Sequence, residues 1–300
     1  MGRRIFTPMF VIAGLWLGTA QAAPVECANF KTTHPEWLWC DDFESDSALE
    51  SSYFEVNRSG GRFGVTTETA LGGTGALKGT YIPGSEEAGN VKYSFGRTPV
   101  SQKNYADRDF TDIYWRVYMK TGAGWTGNGT KIGRHIQFAG ANWSEASVAM
   151  LWEDTASGVS VGIDPASGVS GSTVVTTKYN DWDHLKWLGH VSATTPVYSS
   201  ANIGRWFCIE TRMKLNTPGQ SDGVYSLWID GKLEAEKTGL NWRGSYTQYG
   251  INAVFLENWI NSGPSKQLVR YFDNFVISEG RIGCSADGVR PNPPTNVKAQ

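Results

Sequence analysis

Between positions 41 and 278 the chain repeats one pattern, a short run of alternating apolar and polar residues broken by Gly, Asn, Asp, Ser or Pro. A period of two sends successive side chains to opposite faces of a strand, and helical spacing is hard to find. The pattern predicts strands at 53–56, 75–81, 91–95, 113–120, 134–139, 148–152, 159–163, 206–215, 223–229, 251–257 and 268–277. So many strands in one chain imply an all-β protein of two packed antiparallel sheets, a sandwich or jelly roll. Turn chemistry agrees: NTPGQSDG at 216–223 joins two strong strands, and Asp230-Gly231 has the composition of a tight hairpin. The segment 177–196, containing YNDWDHLKWLGH, breaks the alternation and reads as a long loop or short helix of the kind that carries function.

The first 22 residues, MGRRIFTPMFVIAGLWLGTAQA, do not belong to this pattern. Two arginines, an apolar run and an Ala-Gln-Ala end predict a cleaved export signal, with the apolar run too short for a membrane span. Arg3-Arg4 leaves a twin-arginine route open beside ordinary secretion. One β-domain is expected over 23–288, followed by a proline-rich tail at 289–300, RPNPPTNVKAQ with its preceding turn. A secreted or periplasmic protein is expected, and a monomer.

Charge narrows the partners. With 27 Lys and Arg against 29 Asp and Glu, neither nucleic acid nor an acidic membrane has electrostatic support. The 35 glycines and 13 tryptophans suit a turn-rich sandwich in which some indoles fill the core and others stack on the flat faces of sugars. Four cysteines in an exported chain predict two disulfides. Three pairings are possible; Cys27–Cys40 and Cys208–Cys284 are favoured, the first pinning the N-terminal loop and the second tying an inner strand to the C-terminal edge.

Three stretches carry a family resemblance: YWRVYMKTGAGWTGNGTKIG at 114–133, GRWFCIETRMKLNTPGQSDGVYSLWIDGK at 204–232 and VRYFDNFVISEGRIGC at 269–284. Together they resemble the concanavalin A-like jelly rolls of alginate- and glucuronan-lyase type, and the related fungal secreted proteins that share that fold. The resemblance implies β-elimination on an acidic, uronate-containing polysaccharide. That reaction needs a cation or amide to neutralise a carboxylate, a base and an acid. Alternation places Tyr114, Arg116, Tyr118 and Lys120 on one face of a strand, and Lys131, Gly133, His135 and Gln137 on one face of the next. If the two strands are neighbours, Lys131, Arg116 or Gln137 would neutralise the uronate, with His135 and Tyr118 as base and acid. Trp125, Trp143, Trp259 and Tyr114 are the expected sugar-binding aromatics. The family's late-strand tyrosine has no counterpart in FLENWINSG at 255–263, and Tyr249 and Tyr271 are the nearest substitutes.

The resemblance also implies a structural calcium where the first and last strands meet, with Asp273 and Glu44 as side-chain ligands beside the Gly72-Gly73 turn. Rival readings remain. A non-catalytic carbohydrate-binding module would use the tryptophans alone, an adhesive surface protein would use the tail as a spacer, and a glycosidase would need two carboxylates across a groove, for which Glu210 and Glu257 are the candidates.

Overall fold

The computed structural model describes residues 26–125, 129–154 and 156–285, so the predicted signal at 1–22 and the tail at 289–300 lie outside the described residues. The first strands are β1 (Trp37–Asp41), β2 (Glu55–Asn57), β3 (Phe63–Thr66), β4 (Ala76–Tyr81), β5 (Glu87–Ser94) and β6 (Asp112–Thr121). Then come β7 (Thr130–Phe138), β8 (Glu145–Asp154), β9 (Ser160–Ser167), β10 (Val169–Ser170), β11 (Thr173–Val174), β12 (Lys186–Trp187) and β13 (Val191–Ser192). The last are β14 (Phe207–Lys214), β15 (Gly223–Ile229), β16 (Lys232–Leu240), β17 (Ala253–Ile260) and β18 (Leu268–Ser278).

All eleven predicted strands form, in a jelly roll of two packed antiparallel sheets. The first sheet runs β16-β15-β14-β6-β18-β4-β3, with β1 joined to β18. The second runs β12-β9-β8-β7-β17-β5-β2, with β13 joined to β9. Strand β16 escaped the pattern because KLEAEKTGL has little apolar alternation; it is the edge of the first sheet, where exposed Lys and Glu discourage pairing with another chain. At the β15–β16 turn Asp230 and Gly231 have φ of 50° and 81°, the left-handed pair that a tight hairpin requires.

Between the sheets, Trp115, Val117 and Met119 of β6 meet Ile132, Ala149, Leu151, Val254 and Leu256 of the second sheet. Trp115 is fully buried, and truncating so large a side chain costs about 3–5 kcal/mol. Gly133 makes room for it: a Cβ there would lie 3.0 Å from the indole and 2.7 Å from the carbonyl oxygen of Phe255. Both favoured disulfides, Cys27–Cys40 and Cys208–Cys284, are formed.

One expectation about neighbours fails. Strand β6 pairs with β14 and β18, and β7 pairs with β8 and β17, so the two polar strands lie in different sheets. The chain passes from one sheet to the other between Thr121 and Thr130, and alternation within a strand carries no information about that crossing.

Candidate functional site

Apolar clusters also lie on the outer side of the second sheet. Ile136, Phe138, Ala253 and Phe255 pack with Val100, Phe54, Trp143 and Tyr179, and Val148, Met150 and Ala166 pack beneath Leu185. Leu185, Tyr179 and their neighbours belong to the segment singled out as a long loop, which folds over the sheet and forms one wall of a groove. The groove is a cavity of about 480 Å³ whose lining includes Lys131, Arg134, Tyr179, Asn180, Trp182 and Trp259.

At its centre the Arg134 guanidinium makes a fork with Glu257, Nε to Oε2 at 2.7 Å and Nη2 to Oε1 at 2.6 Å. Its Nη1 donates to Asn180 Oδ1 at 2.7 Å and stands 3.9 Å from Glu145. Burial alone would raise the Glu257 pKa, but the charge and hydrogen bonds of Arg134, with help from Lys131 and Lys92, hold the carboxyl below its usual range. Glu145, equally buried but less directly paired, is pushed up to about 7 by burial. The Tyr179 hydroxyl donates to Glu257 Oε1 at 3.2 Å, and its pKa is raised well above the ordinary value, chiefly by burial. Tyr179 therefore stays protonated across the ordinary pH range.

Lys131 differs from the other cations of the groove. Lys92 pairs with Glu55 and Arg134 with Glu257, whereas Lys131 has no salt bridge among the described residues. Its Nζ stands 5.3 Å from the ring centre of Trp182 and 5.4 Å from that of Trp259. Burial, reinforced by the Arg134 charge, lowers its pKa to about 8, so about a tenth of the amine is neutral at pH 7 and more as pH rises. Its backbone is fixed from below. The pairings of β7 with β8 and with β17 both slip in register beside Lys131, and Arg270 reaches across the core from β18 to the carbonyl oxygens freed there. Arg270 Nη2 lies 2.6 Å from both the Lys131 and the Glu257 carbonyl oxygens, and its Nε donates to Asn258 Oδ1 at 2.8 Å.

Of the expected catalytic residues, only Lys131 lies in this groove. Alternation grouped His135 with Gln137 correctly, but that face points into the core and Arg134 faces the groove; it also placed Lys131 with His135, whereas the register slip between Lys131 and Gly133 leaves Lys131 on the groove side with Arg134. His135 is fully buried between Trp115 and Tyr225, and burial pushes its pKa down to about 3. Gln137 is also buried; its Nε2 donates to the Tyr249 carbonyl at 2.6 Å and its Oε1 accepts from Ser147 Oγ at 2.8 Å. Arg116 and Tyr118 lie on the outer face of the opposite sheet, under the terminal segments. The Arg116 guanidinium is 2.8 Å from Glu26 and sits over the Tyr118 ring, and the Tyr118 hydroxyl accepts from the Ser285 amide at 2.6 Å. Tyr114 stacks on Trp228 on the same face.

Among the expected aromatics, Trp259 borders the groove, and Trp143 is half-buried over Phe54 and Phe138. Trp125 is a core residue stacked on Tyr198. The glycosidase pair does not assemble, because Glu210 lies in the first sheet, taken up by Arg281 and the amides of Ile282 and Gly283, while Glu257 lies in the second. Residues the alternation did not single out are Arg134, Tyr179, Asn180 and Trp182; the one signal for the last three was the loop that interrupts it.

Asp273 and Glu44, the expected calcium ligands, grip opposite ends of one turn. Asp273 accepts from the amides of Leu71 at 2.7 Å and Asn274 at 2.8 Å, and burial raises its pKa to about 7. Glu44 accepts from the amides of Thr74 at 2.8 Å and Gly75 at 3.0 Å and from the Thr74 hydroxyl at 2.7 Å. Among the described residues no three His, Cys, Asp or Glu side chains come together as a metal site. Both carboxylates are engaged by backbone amides of the 71–75 turn and its neighbourhood.

Solved structures of similar shape include the PL-14 alginate lyase from Aplysia kurodai, 14% identical over 80% of this chain and 98% of that one, with a TM-score of 0.56. Alginate lyase vAL-1 from Chlorella virus is 18% identical over 81% of this chain and 99% of its own, with a TM-score of 0.53. A variant of alginate lyase Aly36B in complex with alginate trisaccharide is 14% identical over 81% and 98%, with a TM-score of 0.52. No family model matches the chain, and no curated protein matches it in sequence. The chain shares the jelly-roll fold of these structures.

Proposed function

We propose that this is an exported lyase that cleaves a uronate-containing polysaccharide by β-elimination in the groove of the second sheet. The observation that carries the reading is Lys131, an amine with no carboxylate in salt-bridge contact among the described residues and a lowered pKa, held between two indoles in the groove that also holds a protonated tyrosine. A sugar ring stacked on Trp182 or Trp259 brings its carboxylate to the Asn180 amide, whose oxygen is already engaged by Arg134 and whose NH₂ is polarised for donation. Lys131 in its neutral form takes the proton from the carbon next to the carboxylate, and that electron pair becomes the ring double bond. The bond from the neighbouring carbon to the glycosidic oxygen breaks, and the leaving oxygen takes the Tyr179 proton. Arg134 and Glu257 are positioning residues, because their pairing holds Asn180 and Tyr179 in place. The two disulfides suit an oxidising compartment, which agrees with export.

The test is ultraviolet absorbance of the unsaturated product, measured from mildly acidic to alkaline pH on alginate, polyglucuronate, pectate and mixed polymers containing glucuronate. Product is expected from the wild type and not from Lys131→Met. Binding without product on every polymer would make the protein a carbohydrate-binding module, and full activity in Lys131→Met would remove that residue from the mechanism.

A further inference from the structure

The groove does not end at Lys131. Trp182 and Trp187 are among the few large apolar side chains left exposed, at 38% and 43%, and they stack with ring centres 5.8 Å apart and planes 11° apart. Trp187 in turn lies 5.8 Å from Trp152, whose Nε1 donates to Asp164. An indole line thus runs from Trp259 past Lys131 to Trp182, Trp187 and Trp152. Beyond it lies a second cavity of about 420 Å³, bordered by Trp152, Asp154, Asp164 and His190, which shares Asn261 with the first. His190 Nδ1 is 2.9 Å from Asp164, and its Nε2 is 3.5 Å from Asp154.

Charge separates the two cavities. In the first, Lys92 and Arg134 are taken by Glu55 and Glu257, which leaves Lys131 facing the rim carboxylates Glu86 and Glu87. Among the described residues the second is lined by Asp154 and Asp164, with His190 between them, and by neither Lys nor Arg. A polymer with a carboxylate on every sugar would satisfy the Asn180 amide beside Lys131 at one position and meet like charge at the next, and desolvation in a groove strengthens that repulsion. Indole faces beside carboxylate acceptors suit instead a ring that offers C–H to the indole and hydroxyl donors to the oxygens.

Resting on the lyase reading, we infer that the substrate is a mixed polysaccharide, in which a uronate at Lys131 is followed by neutral sugars along Trp182, Trp187 and the second cavity. The experiment compares kcat/KM on polyglucuronate with that on a polymer whose repeat holds one glucuronate among three neutral sugars. At least tenfold preference for the mixed polymer is expected, and Asp154→Asn combined with Glu86→Gln should narrow the gap by raising the polyglucuronate rate. Trp187→Ala should weaken binding of a neutral oligosaccharide, read by quenching of tryptophan fluorescence, at least fivefold. Equal or better turnover of polyglucuronate would overturn the inference and leave the lyase reading standing. Absence of unsaturated product on every polymer would overturn both. Unchanged neutral-sugar binding in Trp187→Ala would remove the aromatic line from the substrate path.

Discussion

The outer faces of the two sheets are built from the same kind of strand and end in opposite states. On the first sheet, Arg116 and Tyr118 are covered by the segments that carry Glu26 and Ser285, and two disulfides staple the cover. On the second, Lys131 sits between indoles in an open cavity. A polar residue on a strand is thus not a site by virtue of its residue type. What separates Arg116 from Lys131 is whether the chain supplies a counter-charge: Glu26 forms an ion pair with the first, and no carboxylate among the described residues forms one with the second.

The largest expected effect tests that contrast directly. Lys131→Met should lower turnover by about 10²–10⁴-fold, the usual worth of a positioned proton acceptor, with little change in melting temperature. Arg116→Met should do the reverse, leaving turnover per folded molecule intact while the orphaned Glu26 costs about 3 kcal/mol of stability in urea titration. A swap of these outcomes would exchange the roles of the two faces.

Disulfides give the next contrast. Replacing Cys208 and Cys284 together by serine opens a loop with a sequence separation of 76 and should cost about 4 kcal/mol. Replacing Cys27 and Cys40, 13 apart, should cost about 3 kcal/mol. Both pairs fasten the covered face, so kcat of the folded fraction should not move.

Two pH profiles separate groove from core. With Lys131 near 8 as proton acceptor, kcat should climb about tenfold per pH unit below that value and level off above it. Stability should respond elsewhere on the scale. The folded chain keeps His135 neutral to about 3, whereas an unfolded chain protonates it near 6.5. Its contribution is therefore complete above 6.5 and falls, by about 1.4 kcal/mol per unit, as pH drops toward 3. His135→Asn should flatten that slope in denaturant titrations without shifting the kcat profile. The smallest effect concerns the Leu71–Gly75 turn: a chelator should leave the melting temperature where it was if amide bonds to Asp273 and Glu44 suffice, and a clear drop would assign calcium to them.

Much of the fold was legible, because period-two alternation depends only on neighbours along the chain. It correctly grouped His135 with Gln137 and set Arg134 apart. The candidate site was less legible for two reasons. Whether β6 and β7 share a sheet is decided by long-range pairing with β14, β18, β8 and β17. Which face is core could not be read from apolarity, since Ile136, Phe138 and Phe255 are apolar and yet lie on the groove side, covered by a loop rather than by the other sheet. Asn180, Tyr179 and Trp182 come from that loop, where no periodicity exists to read.

The covered face also decides which sheet bears a load. The segments at Glu26 and Ser285 meet Arg116 and Tyr118, two positions apart on β6, and the cystines beside them tie both segments down. A pull on either segment would strain the cystine-stapled strands of the first sheet, and the groove of the second would keep its shape.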